Sequence, residues 1–351
     1  MVKRKFISVV VTLGLVLALA LVPMASPVMA AEGGTATGSF TVGNALPNIT
    51  SVEVIPAAGG SAVTSMTPGT AYRARIVVTD ANTVNDTAQV RVALVFDSND
   101  SDPVTDPGET GNTHTLACLK WVKSPDTWSI SPTGGTPATT WSITSGNCTK
   151  PSDMTLSTGT WEFYFTVGKV ATEGTGGNGT AGWDLFGEVN DEGTPVEMWG
   201  DRDLAMDWYG AITVNTPSVD WGSVSPGMNF TEGDPSEEGN INVTYIANGA
   251  YDEKVAASSP WTNVSANATL DPTGNCTNEN EFALKADDTG TLSSAVLADI
   301  TPTYTAIDVS GNQTTEAGDT VNTNALWLKL AATFTEATFS GSIYYQIADG
   351  V

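Results

Sequence analysis

One histidine, three cysteines and only 14 lysines and arginines are spread over 351 residues, and each scarcity removes a class of chemistry. With His114 alone, a histidine-based zinc or metalloprotease site is not possible. A Ser-His-Asp triad would have to pass through the same residue, which sits in a Gly/Thr-rich stretch, and no Gly-x-Ser-x-Gly elbow occurs. Cys118, Cys148 and Cys276 form neither a CxxC motif nor a zinc pattern. Cys118 and Cys148 are a candidate disulfide whose loop closure would contribute roughly 3–4 kcal/mol in an oxidising compartment. Cys276 is then left free or pairs between molecules. Set against 39 acidic residues, the few cations leave a formal charge of −25, which repels nucleic acid and anionic lipid and attracts cations. Nucleic-acid binding is excluded on that ground. Helical periodicity is missing as well beyond the first thirty residues.

Those thirty residues carry the one long apolar run. Lys3, Arg4 and Lys5 precede it, residues 6–22 form it, and Pro23 and Pro27 break it before Val28-Met29-Ala30. The small residues at its end predict a secretory signal cleaved near Ala30-Ala31. An uncleaved anchor is the alternative, but the run is at the short limit for a span and its proline-flanked end suits cleavage. The position of Lys5 before Phe6 does not fit a pilin-type signal, and no cysteine marks a lipoprotein. The mature chain is therefore expected outside the cytoplasm, without a membrane span. It retains 11 basic residues against 39 acidic ones, a formal charge of −28.

Strand signals fill the remainder. Tyr72, Ala74, Ile76 and Val78 alternate with Arg73, Arg75 and Thr79. Val90, Val92, Leu94 and Phe96 alternate with Arg91, Ala93 and Val95, and Trp161, Phe163, Phe165 and Val167 with Glu162, Tyr164 and Thr166. Residues 241–246, 326–330 and Ile343, Tyr345 and Ile347 repeat the habit. Period-two patterning between Gly/Pro/Asn/Asp clusters predicts antiparallel sheets packed face to face. The fold class expected is all-β, as two tandem antiparallel β-sandwich domains after a signal peptide. The segments are 1–30 (signal), 31–46 (flexible), 47–214 (first domain) and 215–351 (second domain). A weak internal repeat supports the division: Ser51-Val52-Glu53 leads to Thr67-Pro68-Gly69 and Tyr72, and Ser218-Val219-Asp220 to Ser225-Pro226-Gly227 and Phe230. Pro presets φ and Gly supplies φ > 0 for a tight turn in each. The short joint near Val214–Pro217 predicts a restricted angle between the domains.

The opening strand, the Thr67-Pro68-Gly69 turn and the following run from Tyr72 to Asp80 and Asn82 resemble the start of immunoglobulin-like domains in bacterial and archaeal surface proteins. Asp207-Trp208-Tyr209-Gly210, continuing through Val219 to Gly227, is similar to domain junctions in secreted surface-layer and adhesin-type proteins. The antibody-type Cys…Trp…Cys framework is absent. The resemblance implies an immunoglobulin-like sandwich with a scaffold, adhesive or coat role, and it brings no catalytic residues.

Candidate chemistry is confined to acids, aromatics and sequons. Asp97, Asn99, Asp100, Asp102, Asp106 and Glu109 crowd one loop after a strand, a hard-oxygen set suited to calcium although out of register with an EF-hand. Asp184, Asp191, Glu192, Asp201 and Asp203 form a looser second set. Glu162, Asp184 and Glu188 would serve as a hydrolase acid pair only if the fold brought two of them together. Trp121, Trp128 and Trp141, of ten tryptophans, are candidates for an outward row that stacks on sugars. Eleven Asn-x-Ser/Thr sequons, at Asn48, Asn85, Asn99, Asn147, Asn178, Asn229, Asn242, Asn263, Asn267, Asn275 and Asn312, mark candidate glycosylation sites. No sortase-type tail or wall-binding repeat occurs. The reading is a secreted, non-catalytic surface component, structural or adhesive, with other surface proteins, copies of itself or glycans as partners; the alternative is a carbohydrate-binding module.

Overall fold

A computed structural model describes residues 38–98, 106–132, 140–177, 180–191, 193, 195–231, 238–294, 297–315 and 322–350. The signal segment, Asn99, Asp100, Asp102, Asn178 and Glu192 lie outside the described residues. No helix among the described residues is long and apolar enough to cross a membrane. The chain divides into a unit of residues 1–44 and a compact unit of residues 45–351. In the shorter unit, residues 38–44 carry no strand.

The compact unit is all-β, with two short 3-10 turns, Val84–Asp86 and Ser145–Asn147. In chain order its first ten strands are β1 (Asn48–Pro56), β2 (Ser65–Met66), β3 (Ala71–Thr79), β4 (Gln89–Asp97), β5 (Leu116–Val122), β6 (Thr127–Ser131), β7 (Ser142–Ile143), β8 (Thr158–Thr166), β9 (Gly182–Asn190) and β10 (Val196–Met206). They form two sheets, ordered β1-β3-β8-β7 and β2-β10-β9-β4-β5-β6. The next ten are β11 (Gly210–Val214), β12 (Glu238–Ala247), β13 (Tyr251–Ala257), β14 (Trp261–Thr262), β15 (Asn267–Leu270), β16 (Glu281–Asp287), β17 (Ala298–Asp299), β18 (Thr305–Gly311), β19 (Asn322–Leu330) and β20 (Ile343–Asp349). These form a sheet β11-β12-β19-β16-β15-β14, with β17 beside β16, and a three-stranded sheet β18-β13-β20. Each pair of sheets encloses its own core, as in the β-sandwich class. Strand membership changes between Met206 and Gly210: β11 pairs with β12, so residues 210–214 belong with the second sheet pair and not with the first.

The alternation read from the sequence is what builds the first core. Tyr72, Ala74, Ile76 and Val78 of β3 and Trp161, Phe163 and Phe165 of β8 meet Val90, Val92 and Leu94 of β4 and Trp183, Leu185 and Val189 of β9. The packing is aromatic: Trp121 lies 5.7 Å from Trp161, Trp128 5.0 Å from Phe163, and Trp141 5.3 Å from Trp183. Such pairs add roughly 0.5–1.5 kcal/mol each beyond burial. Opposite β1, Gly187 lets the sheets approach closely, since a Cβ there would sit 2.5 Å from Val52.

Both Pro-Gly turns form, with Gly69 at φ 76° and Gly227 at φ 77°. The repeat goes no further. Ser51-Val52-Glu53 lies in β1, whereas residues 218–220 and Phe230 lie in no strand. Trp221 is instead buried in the second core, and Val219 packs against it.

Candidate functional site

The outer face of β4, β5 and β9 is covered, which simple alternation does not foresee. Ala93, Cys118 and Phe186 are buried there, and Arg91 is only 3% exposed. The guanidinium of Arg91 lies 5.0 Å over the Phe186 ring and pairs with Glu188 at 2.7 Å and Asp106 at 2.6 Å. Gln89 donates to the other Glu188 oxygen at 3.0 Å. Glu109 pairs with Lys120 on β5 at 2.7 Å. The acidic loop expected to hold calcium thus returns onto this face through Asp106 and Glu109, whose charges meet Arg91 and Lys120. Carboxylate oxygens of Asp106, Glu188 and Glu197 do cluster within 4.8 Å. The Arg91 guanidinium brings one positive charge into this cluster, paired with Asp106 and Glu188. Asp97 closes β4, and the other members of that set lie outside the described residues.

The second acidic set is dispersed. Asp184 is buried on β9 and accepts the backbone N–H of Asp203 at 3.4 Å. The side chain of Asp201 lies outside the described residues. Asp191 joins Asp80 and Asp86, neither of which the sequence reading had grouped with it. The hydrolase pair does not assemble either. Glu162 projects from β8 opposite to the core residues Trp161 and Phe163 and pairs with Arg73 at 2.7 Å, while Asp184 and Glu188 occupy the far sheet. Four residues apart on one strand, those two are separated by about 13 Å of backbone rise.

The tryptophan row is corrected as well. Trp121 and Trp141 are 1% and 5% exposed, and Trp128 packs half-buried against the same core. Trp121 donates from Nε1 to Asp126 at 2.7 Å, and Trp141 to the Thr113 carbonyl at 2.8 Å. The faces of Trp121 and Trp141 serve the interior, so these two rings present no stacking platform.

The expected disulfide is absent: all three cysteines are free. Cys118 points to the outer face of β5, and Cys148 lies at the opposing sheet, where its sulfur accepts the Tyr164 N–H. The aromatic core stands between them. Burial pushes the Cys118 thiol up to about 12 and Cys276 to about 11, so both stay protonated and weakly nucleophilic. Cys276 packs with Ala283 and Ala331 and does not present its sulfur to another molecule. Of the nine described sequon asparagines, Asn48, Asn85, Asn147, Asn229, Asn267, Asn275 and Asn312 are exposed, and Asn242 and Asn263 are half-buried.

Two buried polar centres escaped the sequence reading. The first is Asn248, fully buried in the turn between β12 and β13. Its amide donates to the carbonyls of Ala171 (2.9 Å) and Asp207 (3.0 Å), and its side-chain oxygen accepts the Tyr209 N–H at 2.7 Å. Its backbone carbonyl accepts the N–H of Glu173 at 3.1 Å. Gln313 adds donations to the Val170 carbonyl (2.8 Å) and Thr172 Oγ1 (3.1 Å). These bonds join the loop after β8 to the second sheet pair. The second centre is Glu253, fully buried on β13. It accepts from the Tyr245 hydroxyl and the Asn324 amide, and burial pushes its carboxyl up to about 7. No sequence signal marks either, because a single Asn or Glu inside a strand-turn pattern is ordinary until its surroundings are known.

No family model matches the sequence, and neither does any curated protein. Among solved structures, the dimeric latent PorU from Porphyromonas gingivalis aligns at 8% identity with a TM-score of 0.12. The alignment covers 86% of this chain and 33% of that one, and a score so low carries no argument about fold or function.

Proposed function

We propose that the chain is a secreted, non-catalytic component of a cell surface, built as two tandem immunoglobulin-like domains and serving a structural or adhesive role. The observation that carries this reading is the junction at Asn248. A flexible tether between two sheet pairs would leave them free to turn, whereas every polar group of this buried amide is used in holding them together. Stiff serial modules suit a spacer or a subunit of an ordered array, where a fixed repeat length is passed from copy to copy. The dense negative charge favours solubility, and exposed sequons would offer glycan attachment points. Surface retention would then rest on partner proteins, self-assembly or glycans.

Cell fractionation with mass spectrometry of the mature N-terminus tests the export step. A surface fraction starting near Ala31 supports it, and a cytosolic chain with an intact start overturns it. Electron microscopy of purified protein tests the array: regular layers or filaments support a coat subunit, and dispersed particles under all conditions count against one.

A further inference from the structure

Three carboxylates converge at the end of the first sheet pair that lies away from Asn248. Asp80 follows the last residue of β3, Asp86 closes the 3-10 turn Val84–Asp86, and Asp191 follows the last residue of β9. One oxygen from each lies within 4.8 Å of the other two. Asp191 is fully buried and Asp80 is 3% exposed. Asp80 spends Oδ1 on the N–H of Asn82 at 2.7 Å, which fixes the turn and directs the other oxygen inward. That second oxygen, Oδ2, has no hydrogen-bond partner among the described residues, and neither does Oδ1 of Asp86. Thr87, next in the chain and fully buried, leaves its hydroxyl without a partner too.

Among the described residues, neither Asp80 nor Asp86 forms an ion pair. Lys123 acts on Asp86 through space, but its ammonium is donated to the carbonyl of Asn85. Three carboxylates so close repel one another, and burial in a poor dielectric sharpens the cost. Either a proton or a cation must relieve it. A proton removes one charge of three; a divalent cation neutralises two and also supplies a partner for the open oxygens of Asp80 and Asp86. Coordination demand discriminates among cations: calcium accepts an irregular shell of six to eight oxygens, whereas magnesium requires near-octahedral geometry and keeps several of its waters, which a largely buried set of carboxylates suits less.

We propose that Asp80, Asp86 and Asp191 form a calcium site that ties the β3 sheet to the β9 sheet at this end of the molecule. The site shares no residue with the acidic loop at 97–109, and it stands whether or not the chain is a surface subunit. Its position explains what the ion would do. β3 and β9 belong to opposite sheets, and Asn82, held by Asp80, accepts the N–H of Ala45, where the compact unit begins. A cation here would close the sandwich end and pin the first strand's approach.

Calorimetric titration of calcium chloride into chelator-stripped full-length chain is the test, with magnesium chloride run in parallel. One saturating calcium event is expected, with magnesium at least about tenfold weaker. The melting temperature should rise by about 5 °C or more when calcium exceeds its Kd about 100-fold. Asp80→Asn and Asp191→Asn should each abolish the event while melting in chelator no lower than wild type, because the amide relieves repulsion. Asp106→Asn should leave it intact. Absence of both heat and thermal shift in the unmodified chain would overturn the proposal without recourse to any variant. Binding that survives Asp80→Asn and Asp191→Asn but is lost in Asp106→Asn would overturn it equally.

Discussion

The two sheet pairs handle buried acid in opposite ways. In the first, Asp80, Asp86 and Asp191 gather at one end of the sandwich, with oxygens of Asp80 and Asp86 left open. In the second, Glu253 stands in the interior with both oxygens taken by neutral donors, Tyr245 and Asn324. A cluster at a rim can be relieved by an ion from solvent. A lone carboxyl enclosed by aromatic and amide side chains is relieved by a proton. With the proposed site, the first arrangement would respond chiefly to calcium and the second to pH, although both arise from the same pressure against buried charge.

Removing an aromatic from the first core would separate the two sheet pairs most severely. Trp161→Ala should cost about 3–5 kcal/mol, read as a large fall in the denaturation midpoint, since the fully buried ring packs against Trp121. The second core holds its own set of residues and should lose far less, which separate spectroscopic probes in the two halves would reveal.

Next comes Glu253. Its carboxyl is held at about 7 in the folded chain against an ordinary 4.5, so the folded state binds the proton more tightly than the unfolded one. Its contribution is full below pH 4.5, is lost as pH rises to about 7, and is flat above that. Linkage over that window corresponds to about 3 kcal/mol. Glu253→Gln should flatten the profile while retaining the Tyr245 contact, as denaturant midpoints measured from pH 4.5 to 8 would show. Asp86 is also raised, by burial and by Asp80, and so adds a slope of the same sign when calcium is absent. Added calcium should remove that part and leave the Glu253 part, which separates the two mechanisms in one experiment.

Asn248→Ala should cost about 1–3 kcal/mol by orphaning the groups it satisfies. Its more telling effect would be a looser angle between the sheet pairs, seen as a broader distance distribution in small-angle scattering. The smallest effect is expected of Glu109→Gln. That residue forms a partly exposed pair with Lys120, and its loss should cost under about 1 kcal/mol, vanishing in high salt.

Much of the architecture could be read in advance, for a simple reason. In a strand, alternate side chains fall on opposite faces, so Tyr72, Ala74, Ile76 and Val78 declare their inward face without knowledge of any partner. The same rule misled on β4, where Arg91 is buried, beside Glu188 of β9, although it faces away from the core. The loop carrying Asp106 and Glu109 returns onto that face, and periodicity cannot report what covers a strand from outside. Trp121 and Trp141 misled in the complementary direction: read as candidates for an outward row, their rings turn into the core, with their N–H groups satisfied by Asp126 and the Thr113 carbonyl.

The acidic sites divide along the same line. Asp97 to Glu109 caught attention because the residues adjoin in sequence, yet Asp106 and Glu109 end on Arg91 and Lys120. Asp80 and Asp191 are 111 residues apart and meet because β3 and β9 finish at the same end of facing sheets. By itself, then, the sequence determined the all-β class, the inward faces of the principal strands and the scarcity of histidine and cation. Tertiary structure decided which acids became neighbours, which were neutralised and which amide joined the two halves. Local periodicity is written in the chain; proximity between distant strands comes into being only when the sheets close on one another.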